Sequence, residues 1–118
     1  MKISVLGSGN GARAWCAQIA AKGYPVLMWE PLEKTGDYLK LAEKKEIFIE
    51  GDLSKGGRLA DVTMDIEKAV KGASMLLVVV PSFAHEPIFK KMIPLLEEGQ
   101  HVVIVPGNFA AYRLKKMM

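Results

Sequence analysis

Hydrophobic and polar positions follow two rhythms along these 118 residues, and the switches between them mark out the elements. Lys2-Ile3-Ser4-Val5-Leu6 reads as a strand. The period then becomes helical, with Ala12, Trp15, Cys16, Ile19 and Ala20 recurring at i, i+3, i+4 spacing as a core stripe. Lys22-Gly23 supplies a cationic last turn and a stop. Pro25-Val26-Leu27-Met28-Trp29 makes a second strand, and Pro31 to Thr35 turn the chain away from it. A helix is expected over Asp37 to Lys45, with Tyr38, Leu41 and Ala42 on one side. Ile47-Phe48-Ile49 is a short apolar segment, and Gly51, Gly56 and Gly57 mark loops around Asp52–Lys55. Leu59 to Thr63 reads as the next strand, and Asp65 as the cap of a short helix carrying Ile66, Ala69 and Val70, which Gly72 ends.

Met75 to Val80 is a continuous apolar run with no polar face, which suits a central parallel strand covered on both sides; Pro81 stops it. Ile88, Phe89, Met92 and Ile93 mark a helix that Pro94 kinks or ends. Val102 to Val105 is expected to be another buried strand, stopped by Pro106, and Phe109 to Met118 to begin one more helix. Strands alternating with helices predict an α/β fold, a doubly wound parallel sheet ordered 3-2-1-4-5.

Such a sheet binds ligands outside the carboxyl ends of its strands, near the point where strand order reverses. Four segments arrive at that edge. The first is Gly7-Ser8-Gly9-Asn10-Gly11-Ala12, a G-x-G-x-x-A set directly between strand and helix, as in the Rossmann dinucleotide-binding fold. Gly7 permits the tight turn, Gly9 lets the backbone approach a pyrophosphate, and small Ala12 lets helix and strand pack closely. The free N–H groups of the first helical turn, with the helix dipole, then face the anion. Asn10 is expected to cap this helix, while Arg13 either reaches a phosphate or faces solvent.

The second segment is Glu30, at the carboxyl end of the second strand. A carboxylate there accepts hydrogen bonds from the adenosine ribose hydroxyls and repels a 2′-phosphate, which favours NAD over NADP; nearby Lys34 leaves a dual preference open. Pro81-Ser82-Phe83 and Pro106-Gly107-Asn108 complete the set. Ser82 is expected to cap the following helix and to bring its hydroxyl towards the nicotinamide ribose.

Composition narrows the remaining classes. At 118 residues, half of them hydrophobic and a quarter charged, the chain has room for one core and not for two. A net charge of +3 without basic residues interleaved with aromatics argues against a nucleic-acid surface. No apolar run approaches the ~18 residues of a membrane span. Cys16 is the single cysteine, on an apolar stripe, so no internal disulfide exists; with a strand opening almost at residue 1 in place of a signal peptide, a cytoplasmic location is expected. No histidine or cysteine pair stands at ligand spacing, and no metal site is expected. His85, with no orienting acid in evidence, is expected to orient a loop or line an interdomain cleft rather than to catalyse, and His101 to be structural.

Gly7 to Ala12, the stretch Val79-Val80-Pro81-Ser82-Phe83-Ala84-His85-Glu86, and Pro106-Gly107-Asn108 together resemble the amino-terminal domain of the octopine/opine dehydrogenase family. Asp65 to Ala73, leading into the apolar strand, is similar to that family too, and a looser likeness extends to glycerol-3-phosphate dehydrogenases and ketopantoate reductases. The resemblance implies reductive condensation of an amino acid with a 2-oxo acid using a reduced nicotinamide, with catalysis in a second, helical domain. Residues 1–106 are thus expected to form the dinucleotide-binding domain, and 107–118 to begin a helix leading to a catalytic domain absent from this chain. The implied partners are a nicotinamide dinucleotide and either a second copy, through an apolar patch, or a separate catalytic subunit. The alternative is a stand-alone nucleotide-binding or redox-sensing module acting through a protein partner.

Overall fold

The computed structural model describes residues 2–7, 10–29, 46–49, 52–80, 85–105 and 110–118. Five strands form one parallel sheet: β1 (Ile3–Leu6), β2 (Val26–Trp29), β5 (Asp61–Thr63), β6 (Met75–Val79) and β7 (His101–Val105). Their order is β5-β2-β1-β6-β7, the doubly wound 3-2-1-4-5 arrangement, with Leu6 opposite Trp29 on one side and Val78 on the other. The period-2 alternation along β1 and β6 sends successive side chains to opposite layers.

One layer is built on α1 (Asn10–Ala21), whose Ala12, Cys16, Ala17 and Ala20 pack on Ile3, Val5, Val26, Met28, Val62 and Leu77. The opposite layer joins α2 (Ile66–Val70), α3 (His85–Met92) and α4 (Ala110–Met117), where Phe89, Met92 and Leu114 meet Leu6, Leu76 and Val78. Ser4 is the polar member of β1, fully buried because its hydroxyl donates to the Ala69 carbonyl at 2.6 Å. Asp65 caps α2 as expected, its carboxylate accepting from the Glu67 N–H at 3.0 Å. At the other end of α2 the Lys2 ammonium donates to the Lys68 and Lys71 carbonyls at 2.7 and 2.8 Å. Pro94 sits in a 3-10 turn, Ile93–Leu95, that ends α3.

Four expectations need correction. Gly56 and Gly57 are not loop residues: they lie in β4 (Asp52–Arg58), which pairs antiparallel with β3 (Glu46–Ile49), a hairpin packed over α1. A Cβ at Gly57 would stand 2.8 Å from the Ala20 carbonyl oxygen, so glycine is what allows the strand to pass this close to the helix. The third strand of the sheet starts at Asp61 rather than Leu59, since Leu59 is buried against the α1 layer instead. The stripe of α1 is also rotated: Trp15 is 40% exposed, and the buried face runs through Ala12, Cys16, Ala17 and Ala20 because small residues let the helix lie close on the sheet. Finally, β7 is not a buried strand. Among the described residues it stands at the sheet edge, paired only with β6, and Val103 on the α1 side is 42% exposed. The helix expected over Asp37 to Lys45 lies outside the described residues.

Candidate functional site

The sheet reverses its strand order between β1 and β6, and the carboxyl ends of these strands converge on Gly7. The Gly7 N–H donates to the Trp29 carbonyl at 2.9 Å, which ties the residue after β1 to the end of β2. Its φ is +140°, and a Cβ there would run into the Val79 carbonyl oxygen and lie 3.2 Å from Val80 Cγ1. Both backbone angle and space therefore demand glycine. α1 opens at Asn10, three positions on.

Gly11 and Ala12 continue the same close approach. A Cβ at Gly11 would lie 3.4 Å from Val79 Cγ1, so the first turn of α1 sits against the end of β6. Ala12 is 1% exposed, pressed into the core beside β1, as the packing role of that motif position requires. Arg13 follows, half-buried, with its charge felt at Cys16. Burial pushes the Cys16 thiol up to about 12, with Arg13 opposing the shift, so the thiol stays protonated and serves as core.

Of the other expected site residues, Ser8, Gly9, Glu30, Pro81, Ser82, Pro106, Gly107 and Asn108 lie outside the described residues, as does the side chain of Asn10. The elements that carry them are described, and each leads to the same edge. β2 ends at Trp29, β6 at Val79 and β7 at Val105, all parallel to β1. His85, the first residue of α3, is 1% exposed and stacks on Phe89 with ring centroids 5.6 Å apart and planes 17° from parallel. It is thus packed into the helical layer. His101 opens β7 and is exposed.

The contribution of Val79 was not legible in advance. Its carbonyl and side chain form the wall against which Gly7 and Gly11 are set. The one signal for it was its position as the last residue of the apolar β6 run. A helix terminus over a switch point, reached through a residue position with no room for a side chain, fits a pyrophosphate held by backbone N–H groups.

Comparison with known proteins agrees with this geometry. The family model for the N-terminus of NAD-dependent glycerol-3-phosphate dehydrogenase matches residues 2–116. An opine dehydrogenase from Arthrobacter sp. (strain 1C) is 35% identical over 105 residues, covering 88% of this chain and 29% of the relative. A glycerol-3-phosphate dehydrogenase [NAD(P)+] from Xanthomonas campestris pv. campestris (strain B100) is 32% identical over 108 residues, 92% of this chain and 31% of the relative. Among solved structures, octopine dehydrogenase with NADH and L-arginine superposes with a TM-score of 0.75 at 27% identity, covering 90% of this chain and 28% of that one. The chain therefore spans under a third of the length of these relatives. With residues 2–116 matched and the doubly wound sheet in place, the chain belongs to the family of NAD-binding amino-terminal domains shared by glycerol-3-phosphate and opine dehydrogenases.

Proposed function

We propose that this chain is the NAD(H)-binding half of an opine-dehydrogenase-like oxidoreductase acting in the cytoplasm, in which an amino acid is condensed reductively with a 2-oxo acid. The observation that carries the reading is the wedge at Gly7, where positive φ and the Val79 wall leave backbone alone at the switch point. The opine assignment over the glycerol-3-phosphate one rests on the Arthrobacter relative, 35% identical. Residues 107–118 lead on towards the catalytic half, which comes from polypeptide outside these 118 residues, either continuous with them or as a separate subunit.

Gly7, Ser8, Gly9, Asn10, Gly11 and Ala12 form the loop around the pyrophosphate: Gly7, whose N–H is given to the Trp29 carbonyl, makes the turn, and backbone N–H groups of the residues after it meet the pyrophosphate oxygens. Glu30 accepts from the adenosine ribose hydroxyls. Pro81, Ser82, Pro106, Gly107 and Asn108 form the rim on the nicotinamide side. When bound, the reduced dinucleotide supplies the hydride; this domain holds and orients it.

The specificity part is tested by calorimetric titration with NADH and NADPH in parallel. NADH is expected to bind at least about ten-fold more tightly, a difference near 1.4 kcal/mol, and Glu30→Gln to erase most of that ratio. Equal affinity for the two cofactors in the unmodified chain, unchanged in Glu30→Gln, refutes the role given to Glu30.

A further inference from the structure

Trp29 ends β2 and is 2% exposed, in the cluster that holds Leu6, Ala69 and Val70. A buried indole carries a polar N–H into the core, and that group needs an acceptor there. Here the Nε1–H donates to the Met64 carbonyl at 3.0 Å. The acceptor is itself held on both sides. Thr63, before it, ends β5 in register with Trp29, and its hydroxyl accepts from the Asp65 N–H at 3.0 Å. Asp65, after it, caps α2. The indole thus ties the end of β2 to a fixed turn at the end of β5.

The main chain of Trp29 makes a second tie, towards β1. Its carbonyl accepts from the Gly7 N–H at 2.9 Å. A peptide unit is planar, so that carbonyl shares one rigid plate with the N–H and Cα of the next residue, Glu30. The Gly7 bond therefore acts on the plate that carries Glu30. Through its ring and its carbonyl, one residue sets the root of the acid against the segments that follow β5 and β1. Phenylalanine at position 29 fills much of the same volume and leaves the Met64 carbonyl without this donor.

We propose that Trp29 is a positioning residue for cofactor choice, acting through Glu30: its two hydrogen bonds hold the backbone of the acid where the carboxylate meets the ribose hydroxyls. The inference rests on the reading of Glu30 given above and adds what makes that acid selective. A carboxylate rejects a 2′-phosphate only while it stays opposite it. Once the end of β2 slackens, the two charges separate and the discrimination falls. The phosphate turn keeps its own geometry, because the φ of Gly7 and its contact with Val79 do not involve the indole.

The test is calorimetric titration with NADH and NADPH of the 118-residue chain, Trp29→Phe, Glu30→Gln and the double variant. Trp29→Phe is expected to lower the NADH-over-NADPH affinity ratio roughly five-fold, the factor that one neutral hydrogen bond sustains, with far-UV circular dichroism unchanged. Glu30→Gln has already lost the ratio, and adding Trp29→Phe is expected to change it by less than about two-fold. Should Trp29→Phe fail to fold, 3-benzothienylalanine at position 29 keeps the bicyclic shape with sulfur in place of N–H, and the same loss is expected. A folded position-29 variant that keeps the full ratio, whether or not both cofactors bind more weakly, reduces Trp29 to packing and overturns the proposal. A further loss of about two-fold or more in the Glu30→Gln background overturns it too, because the effect then bypasses the acid. Both of these outcomes leave the reading of Glu30 standing. A chain that binds no NADH, or binds it without preference over NADPH, removes that reading and this inference together.

Discussion

Gly7 and Gly11 look alike in sequence and differ in what they permit. At Gly7 a side chain meets the Val79 backbone in a conformation with φ +140°. Gly7→Ala is accordingly expected to cost about 3 kcal/mol or more, the sum of backbone strain and overlap with atoms that cannot swing aside. Urea denaturation checks this, and a loss under about 1 kcal/mol would mean that the turn relaxes freely. At Gly11 the added Cβ stands 3.4 Å from a valine methyl, an ordinary contact. Gly11→Ala is expected to leave stability unchanged or raise it by up to about 1 kcal/mol through helix propensity. Cys16 supplies a third test. Its thiol is raised from 9.0 to about 12 in the fold. The folded state therefore holds the proton more tightly, so this contribution to stability is full below pH 9 and is lost as pH rises towards 12. In the native chain at pH 8, iodoacetamide is expected to leave Cys16 unmodified, and urea-unfolded chain to react. Rapid alkylation of the native chain would contradict the burial.

At the level of elements, the cap of α2 and the carboxyl ends of the strands were the most legible features. Asp65 was readable as an N-cap because a short acidic side chain ahead of a helical run has one local partner within reach, the Glu67 N–H. Asp65→Ala is expected to lower stability by about 1 kcal/mol, read from the shift in urea midpoint. The β3–β4 hairpin was not legible. Its glycines signal loops on local grounds, whereas the reason for Gly57 is the carbonyl of Ala20, contributed by a helix earlier in the chain. The rotation of α1 was hidden in the same way. Trp15 and Ile19 fit the helical period as well as Ala17 does, and only the close seat of the helix on the sheet decides which face is buried. β7 read as buried because its composition is that of a central strand; exposure at an edge depends on what stands beside it. Gly57→Val is therefore expected to loosen the hairpin from α1, seen as faster amide exchange in β4 with the parallel sheet unaffected.

At the scale of the whole molecule, the described helices divide between the two faces of one parallel sheet: three pack on one face, and α1 with the hairpin on the other. Strand order followed from the sequence because right-handed crossovers leave few alternatives once the alternation of strands and helices is known. Gly7 and Ala12 were legible as the tight-turn and close-packing positions of a motif, whereas Val79 was not, since it comes beside Gly7 only through the β1–β6 pairing. The account's central claim is that this switch point holds a nicotinamide dinucleotide. The direct measurement is isothermal calorimetry of the 118-residue chain with NADH, run beside Gly9→Val under identical conditions. Saturable one-to-one binding in the chain, and none in a folded Gly9→Val, is the predicted result. If the folded chain fails to bind NADH at millimolar concentration, or if Gly9→Val binds as well as the unmodified chain, the claim is contradicted.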